Sequence, residues 1–127
     1  MPSVYDVRSR FTNSPDIPDG FTTYVAPVGE GTVFGGNEAV KFSEVRDGSS
    51  KTLALVEVKT ELAVPWTAPQ DYKFDLKAPA SGLAWDAGDI TLGGACDGHI
   101  AEIPRSFSDD SFLRAFLMND GQPVPLP

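Results

Sequence analysis

The sequence predicts an α+β fold, mainly a twisted antiparallel β-sheet with one C-terminal amphipathic helix packed on it. Three observations carry that expectation. Twelve glycines and eleven prolines in 127 residues exclude long helices and leave short elements joined by many turns. Runs of β-branched and aromatic residues recur between turn signals, as strands do. One stretch alone, "SDDSFLRAFLMNDG" at 108–121, carries a cap, first-turn acids and i, i+4 apolar spacing. A chain of this length reads as a single globular domain, 1–127, able to bury a core without staples.

Taken in order, the first twenty residues read as an irregular lead ending in the turn "NSPDIPDG". "FTTYVAPV" (21–28) is a strand broken at Pro27. "GEGTVFGG" (29–36) is a glycine-rich connection that lacks the lysine and strand–helix frame of a phosphate loop. Ser43 is placed to cap one helical turn, 43–46, which ends at Asp47-Gly48. "TLALVEVK" (52–59) has apolar residues on both faces and so reads as a central strand. Glu57 interrupts it and needs a partner if buried. The stretch 62–82 is rich in proline and aromatics, a long loop of the kind that often carries function. Two extended runs around Asp97-Gly98 predict a hairpin with a two-residue type I′ turn, whose central residues both take positive φ. The helix is expected over about 108–119, capped by Ser108, with Asp109 and Asp110 at its positive end and Gly121 as its stop. Phe112, Leu113, Phe116 and Leu117 form the stripe that docks on the sheet. The tail "QPVPLP" is polyproline-like.

Charge removes several functions. Ten basic against eighteen acidic residues give a net charge of −8, without the basic patch that nucleic acid or anionic lipid requires. No apolar run approaches membrane-spanning length, so no membrane contact by this stretch itself is expected. One cysteine forms no intrachain disulfide, and no Cys/His spacing of a zinc site is present.

Three constellations bear chemistry. Cys96 and His99, the only cysteine and histidine, flank the expected two-residue turn and face each other across it. Asp97 and Glu102 stand beside them to orient the ring. Reactive thiolates favour helix N-termini or electropositive clefts, and the acidic surroundings raise a thiol pKa, so an ordinary hairpin is the expectation. Asp86, Asp89 and Asp97 lead a crowd of carboxylates in the last third, oxygen ligands of the sort Ca²⁺ takes, although no EF-hand loop is present. Trp66, Tyr72 and Phe74, with Trp85 beyond, either anchor the 62–82 loop in the core or present rings to a sugar. Trp66, Gln70 and Tyr72 are the candidate contact residues.

"KFSEVRDGSSKTLALVEV", "AVPWTAPQDYKFD", the Gly-Gly-x-x-Asp-Gly turn and "DDSFLRAFLMNDGQPV" occur in this order. With "MPSVYD" and "TTYVAPVGEGTVF", they make the chain resemble the planctomycete pilin-like family of unknown function (domain of unknown function 1559). The likeness spans nearly the whole chain, and its "DGSSKT" and "AVPWTAPQDYKFD" motifs are the specific ones. The resemblance implies the globular head of a pseudopilin-like protein, associated with the envelope or secretion, outside the cytoplasm. It implies protein partners, with no established enzymatic activity in the family; no cofactor is expected beyond the Ca²⁺ considered above. Relatives carry an anchoring prepilin helix that this stretch lacks. Relatives also often carry a histidine ahead of the Asp-Gly turn; the matching position here is Ala87, which breaks that motif.

The sequence therefore leads to a non-enzymatic structural or interaction domain. Its rival is a small module for carbohydrate or Ca²⁺, built on the loop aromatics and the C-terminal carboxylates.

Overall fold

The computed structural model describes residues 17–36, 38–68, 70–85 and 89–127. Among the described residues, eight strands precede one α-helix: β1 (Phe21–Thr22), β2 (Tyr24–Val25), β3 (Pro27–Val28), β4 (Leu53–Glu57), β5 (Val64–Pro65), β6 (Tyr72–Lys73), β7 (Ile90–Ala95), β8 (Ile100–Pro104) and α1 (Asp109–Phe116). β2, β4, β7 and β8 form a four-stranded antiparallel sheet in that order. β1 pairs with β5 antiparallel, and β3 pairs with β6 parallel. The α+β architecture expected from the sequence is the one observed.

The 21–28 stretch is not one strand broken at Pro27. It divides at Thr23 and Ala26 into three short strands, each with a different partner. Pro27 lies within β3, opposite Tyr72, and the Tyr72 amide donates to the Ala26 carbonyl at 2.9 Å. β4 is central as expected, flanked by β2 and β7. Its two faces are unequal, because the register shifts between Leu53 and Leu55 against β7. Such a bulge turns a side chain off its alternating face: Leu53 is buried at 1% exposure, whereas Leu55 stays 47% exposed. Glu57 is fully buried and engaged.

The inner sheet face meets α1. Phe112, Ala115 and Phe116 are fully buried and join Val25, Leu53, Val56, Ala101 and Ile103 in the core. Aromatic rings extend this contact. Phe107 and Trp85 meet Phe112 edge to face at 4.9 Å and 6.1 Å between centroids, and Phe74 lies 4.8 Å from Phe116. The alternation of β8, with Ala101 and Ile103 buried and Ile100, Glu102 and Pro104 exposed, places one face inward as a period of two requires. Gly93 fits this seam because a Cβ there would come within 2.8 Å of the buried Leu53 side chain.

Helix α1 is capped as expected: the Ser108 hydroxyl accepts from the Ser111 amide at 3.1 Å. It ends at Phe116 with Leu117 as C-cap, earlier than the expected Gly121. Past that point the chain leaves to hydrogen-bond elsewhere: the Met118 amide donates to Gly31, and its carbonyl accepts from Asp47. Leu113 and Leu117 are half-buried, so the docking stripe is Phe112, Ala115 and Phe116. The turn expected at 43–46 is a 3-10 turn at Phe42–Glu44, with Lys41 and not Ser43 at its N-cap. The Glu44 carboxylate accepts from the Lys41 amide at 2.6 Å, which satisfies the first donor and sets the start.

Candidate functional site

The 62–82 stretch is not structureless. A 3-10 turn at Thr60–Leu62, then β5 and β6, tie it to the first strands. The Trp66 amide donates to the Gly20 carbonyl and the Ala68 amide to the Pro65 carbonyl, both at 2.9 Å. The Trp66 side chain remains 43% exposed. Tyr72 turns the other way and is buried. Its hydroxyl donates to the Pro79 carbonyl at 2.6 Å and accepts from the Gly82 amide at 3.0 Å. Burial pushes this phenol above its ordinary pKa. Tyr72 is thus the pin of the loop, and the three sequence-predicted contact residues serve two different roles.

Two clefts meet beside this pin. One, of about 410 Å³, is lined by Tyr24, Phe34, Val64, Trp66, Gln70 and Asp71 among others. Its neighbour, of about 460 Å³, is lined by Val58, Leu62, Gln70, Asp71, Tyr72 and Lys73 among others. They share Val25, Val64, Gln70 and Asp71. Trp66 and Gln70 therefore share the first cleft, and Gln70 and Tyr72 the second. Tyr24, Phe34 and Asp71 were missed in the sequence. Asp71 adjoins Gln70 and was legible as a neighbour; Tyr24 reaches the cleft through the β2–β4 pairing and Phe34 through the turn that follows β3.

A third concavity, about 340 Å³, lies on the outer sheet face over Tyr24, Leu55, Leu92, Gly94 and Ile100. Ile100 is 67% exposed there. Tyr24 and Leu55 also line the Trp66 cleft, so the apolar strip is continuous along the outer face.

The Cys96–His99 pair is not what a two-residue turn requires. Among described non-glycine residues, Asp89 alone has positive φ, so Asp97 does not adopt the type I′ conformation. The Ala95 carbonyl accepts from Gly98, Gly98 has φ +95°, and the Ala95 amide donates to the His99 carbonyl. The loop is thus three residues long, Cys96-Asp97-Gly98, closed by a left-handed glycine. Ala95, not Cys96, faces His99. The Cys96 amide instead donates to Thr52 at 2.9 Å, and its side chain lines a small apolar hollow with Val33, Val45 and Ala54. Burial first, then the Asp97 charge, push the thiol above its ordinary pKa. His99 Nδ1 lies 2.6 Å from the Asp97 carboxylate. Hydrogen bonds from the His99 amide and then its ring hold the Asp97 carboxyl below its usual value.

Of the candidate Ca²⁺ ligands, Asp89 and Asp97 lie apart. Asp89 precedes β7 and Asp97 follows it, and a six-residue strand separates its ends by about 20 Å. Asp89 is paired with Arg105 at 3.0 Å, Asp97 with His99. Asp86 lies outside the described residues, as does Ala87. No cluster of three His, Cys, Asp or Glu side chains able to hold a metal occurs among the described residues. No helix among them is long and apolar enough to cross a membrane.

A family model described as "Protein of unknown function (DUF1559)" matches residues 6–112. No curated protein and no solved structure matches the chain.

Proposed function

The chain belongs to the DUF1559 family of proteins of unknown function, and from that premise we propose that it is a non-enzymatic interaction domain. In this reading it is a pseudopilin-like head outside the cytoplasm, docking other proteins on its outer sheet face. The observation that carries the proposal is the continuous apolar strip formed by Tyr24, Leu55, Leu92 and Ile100. Apolar side chains gathered on one surface mark interaction sites more often than scattered ones do.

Charge selects the partner. At a net charge of −8, two copies of the chain repel one another, whereas a neutral or basic partner is drawn in. The sheet edge also disfavours a second copy, because β8 carries exposed Glu102 and Pro104, which discourage edge-to-edge pairing. The non-enzymatic reading is supported by the Cys96 thiol, which is raised in pKa and lines an apolar hollow, while Ala95 stands opposite the one histidine. A nucleophilic cysteine needs the opposite arrangement.

Photo-crosslinking amino acids at positions 55 and 100, in cells producing the full-length protein, test this reading. Both positions are expected to yield the same discrete adduct in the envelope fraction, lost on Leu92→Glu. Lys77, an exposed residue on the distant Asp75–Ala78 turn, is expected to yield none. Identical adducts from all three positions, none from 55 and 100, or adducts confined to the cytoplasm would overturn the proposal.

A further inference from the structure

We propose that the cleft beside Trp66 binds a neutral saccharide, with a pyranose ring on the Trp66 face and its hydroxyls held by Gln70 and Asp71. The proposal does not rest on the docking reading, since an apolar protein partner requires neither Gln70 nor Asp71. Three observations converge on it.

The first is the division of aromatic rings. The chain buries Phe112 and Phe116 completely, yet leaves Phe34 57% and Trp66 43% exposed in a cleft that Tyr24 also lines. Aromatic rings held at a wet surface suit a ligand with one apolar and one polar side. A pyranose has that character: its axial C–H bonds form an apolar face and its hydroxyls a polar rim.

The second is polar supply. Gln70 and Asp71 line both adjoining clefts. The amide offers donors and an acceptor, the carboxylate only acceptors, which together match a vicinal diol. Among the described residues neither side chain has a protein partner, whereas other exposed aspartates are committed. Asp75 accepts from Lys77, Asp89 pairs with Arg105, Asp97 with His99 and Asp110 with Arg114.

The third is size and sign. Lobes of about 410 and 460 Å³ fall in the range of small-molecule sites, and their shared wall allows a chain of more than one ring. Asp71 and the net charge of −8 repel anionic sugars and so favour neutral sugars over acidic ones.

Ligand-observed saturation-transfer NMR on the wild-type chain tests the proposal with three probes: cellopentaose, maltopentaose and N-acetylchitopentaose, each titrated to about 10 mM. At least one is expected to give a saturable signal. Trp66→Ala and Asp71→Asn are each expected to weaken it roughly tenfold or more, a loss of about 1.4 kcal/mol. Should Trp66→Ala not fold, the exposed Asp71→Asn variant decides alone. Tetramethylammonium chloride serves as a cationic control for the same ring. The proposal is overturned by no saturation with any of the three sugars, by saturation that Asp71→Asn leaves unchanged, or by binding of the ammonium ion alone.

Discussion

Tyr72 and Trp66 look alike in the sequence, two aromatics in one proline-rich stretch, and the fold gives them opposite work. The Tyr72 hydroxyl bridges Pro79 and Gly82 at 2.6 and 3.0 Å while its ring meets Phe116 edge to face. Removing that hydroxyl leaves a buried carbonyl and a buried amide without partners. Tyr72→Phe is therefore expected to lower unfolding free energy by about 1–3 kcal/mol. It should appear as a lower urea midpoint with an unchanged slope. Gly82 belongs to the same contact, since a Cβ there would come 2.5 Å from the tyrosine ring. The sequence signalled that aromatics anchor this loop. It carried no signal for which one would remain exposed, because that depends on where the Gly20 and Ala26 carbonyls come to lie. Cys96 and His99 teach the same point. One added loop residue moves a side chain to the other face of a strand, and here it replaces Cys96 by Ala95 opposite His99.

Elements were legible where their signals are local. The Ser108 cap, the first-turn aspartates and the i, i+4 spacing of Phe112 and Phe116 are all properties of neighbouring residues, and each reappears in the structure. The end of α1 is not local. Asp47, on the turn after the 3-10 segment, accepts from the Asp120 and Gly121 amides at 3.0 and 3.1 Å, and this draws the chain off its helical path. Burial, and then the adjacent Asp47 carboxylate, raise the Asp120 carboxyl above its ordinary value. The folded chain therefore binds this proton more tightly than the unfolded chain does. Its contribution to stability is fully present below the unfolded aspartate range and is lost as pH rises through the raised folded value. Asp120→Asn is expected to melt above wild type at neutral pH, with the difference closing as pH falls below the ordinary aspartate value. A series of thermal melts across that range measures it; a pH-independent difference would contradict the linkage. The 21–28 stretch shows the opposite limit of legibility. Its β-forming residues were recognisable, but three partners for eight residues is a choice made by distant strands.

At the scale of the molecule, acidity and an exposed apolar strip oppose each other. A net charge of −8 at neutral pH keeps copies apart, and the isoelectric point is about 4.4. Near that pH self-repulsion vanishes, so light scattering is expected to rise sharply there and to stay low at pH 7. Replacing Leu55 and Ile100 together by lysine should suppress the rise measured at pH 4.4, because it both interrupts the strip and adds positive charge. Unchanged scattering would place the association elsewhere. The family was legible as well: the motifs at 41–58 and 63–75 resembled domain of unknown function 1559, and that family covers residues 6–112. By itself the sequence determined the α+β class, the central position of β4, the start of α1 and the family, since periodicity, caps and motifs are written in adjacent residues. Tertiary structure alone decided which aromatics face water, the three-residue length of the 96–98 loop, and the separation of Asp89 from Asp97. Those outcomes depend on register and on a bulge in β4, and both arise from contacts between residues far apart in the chain.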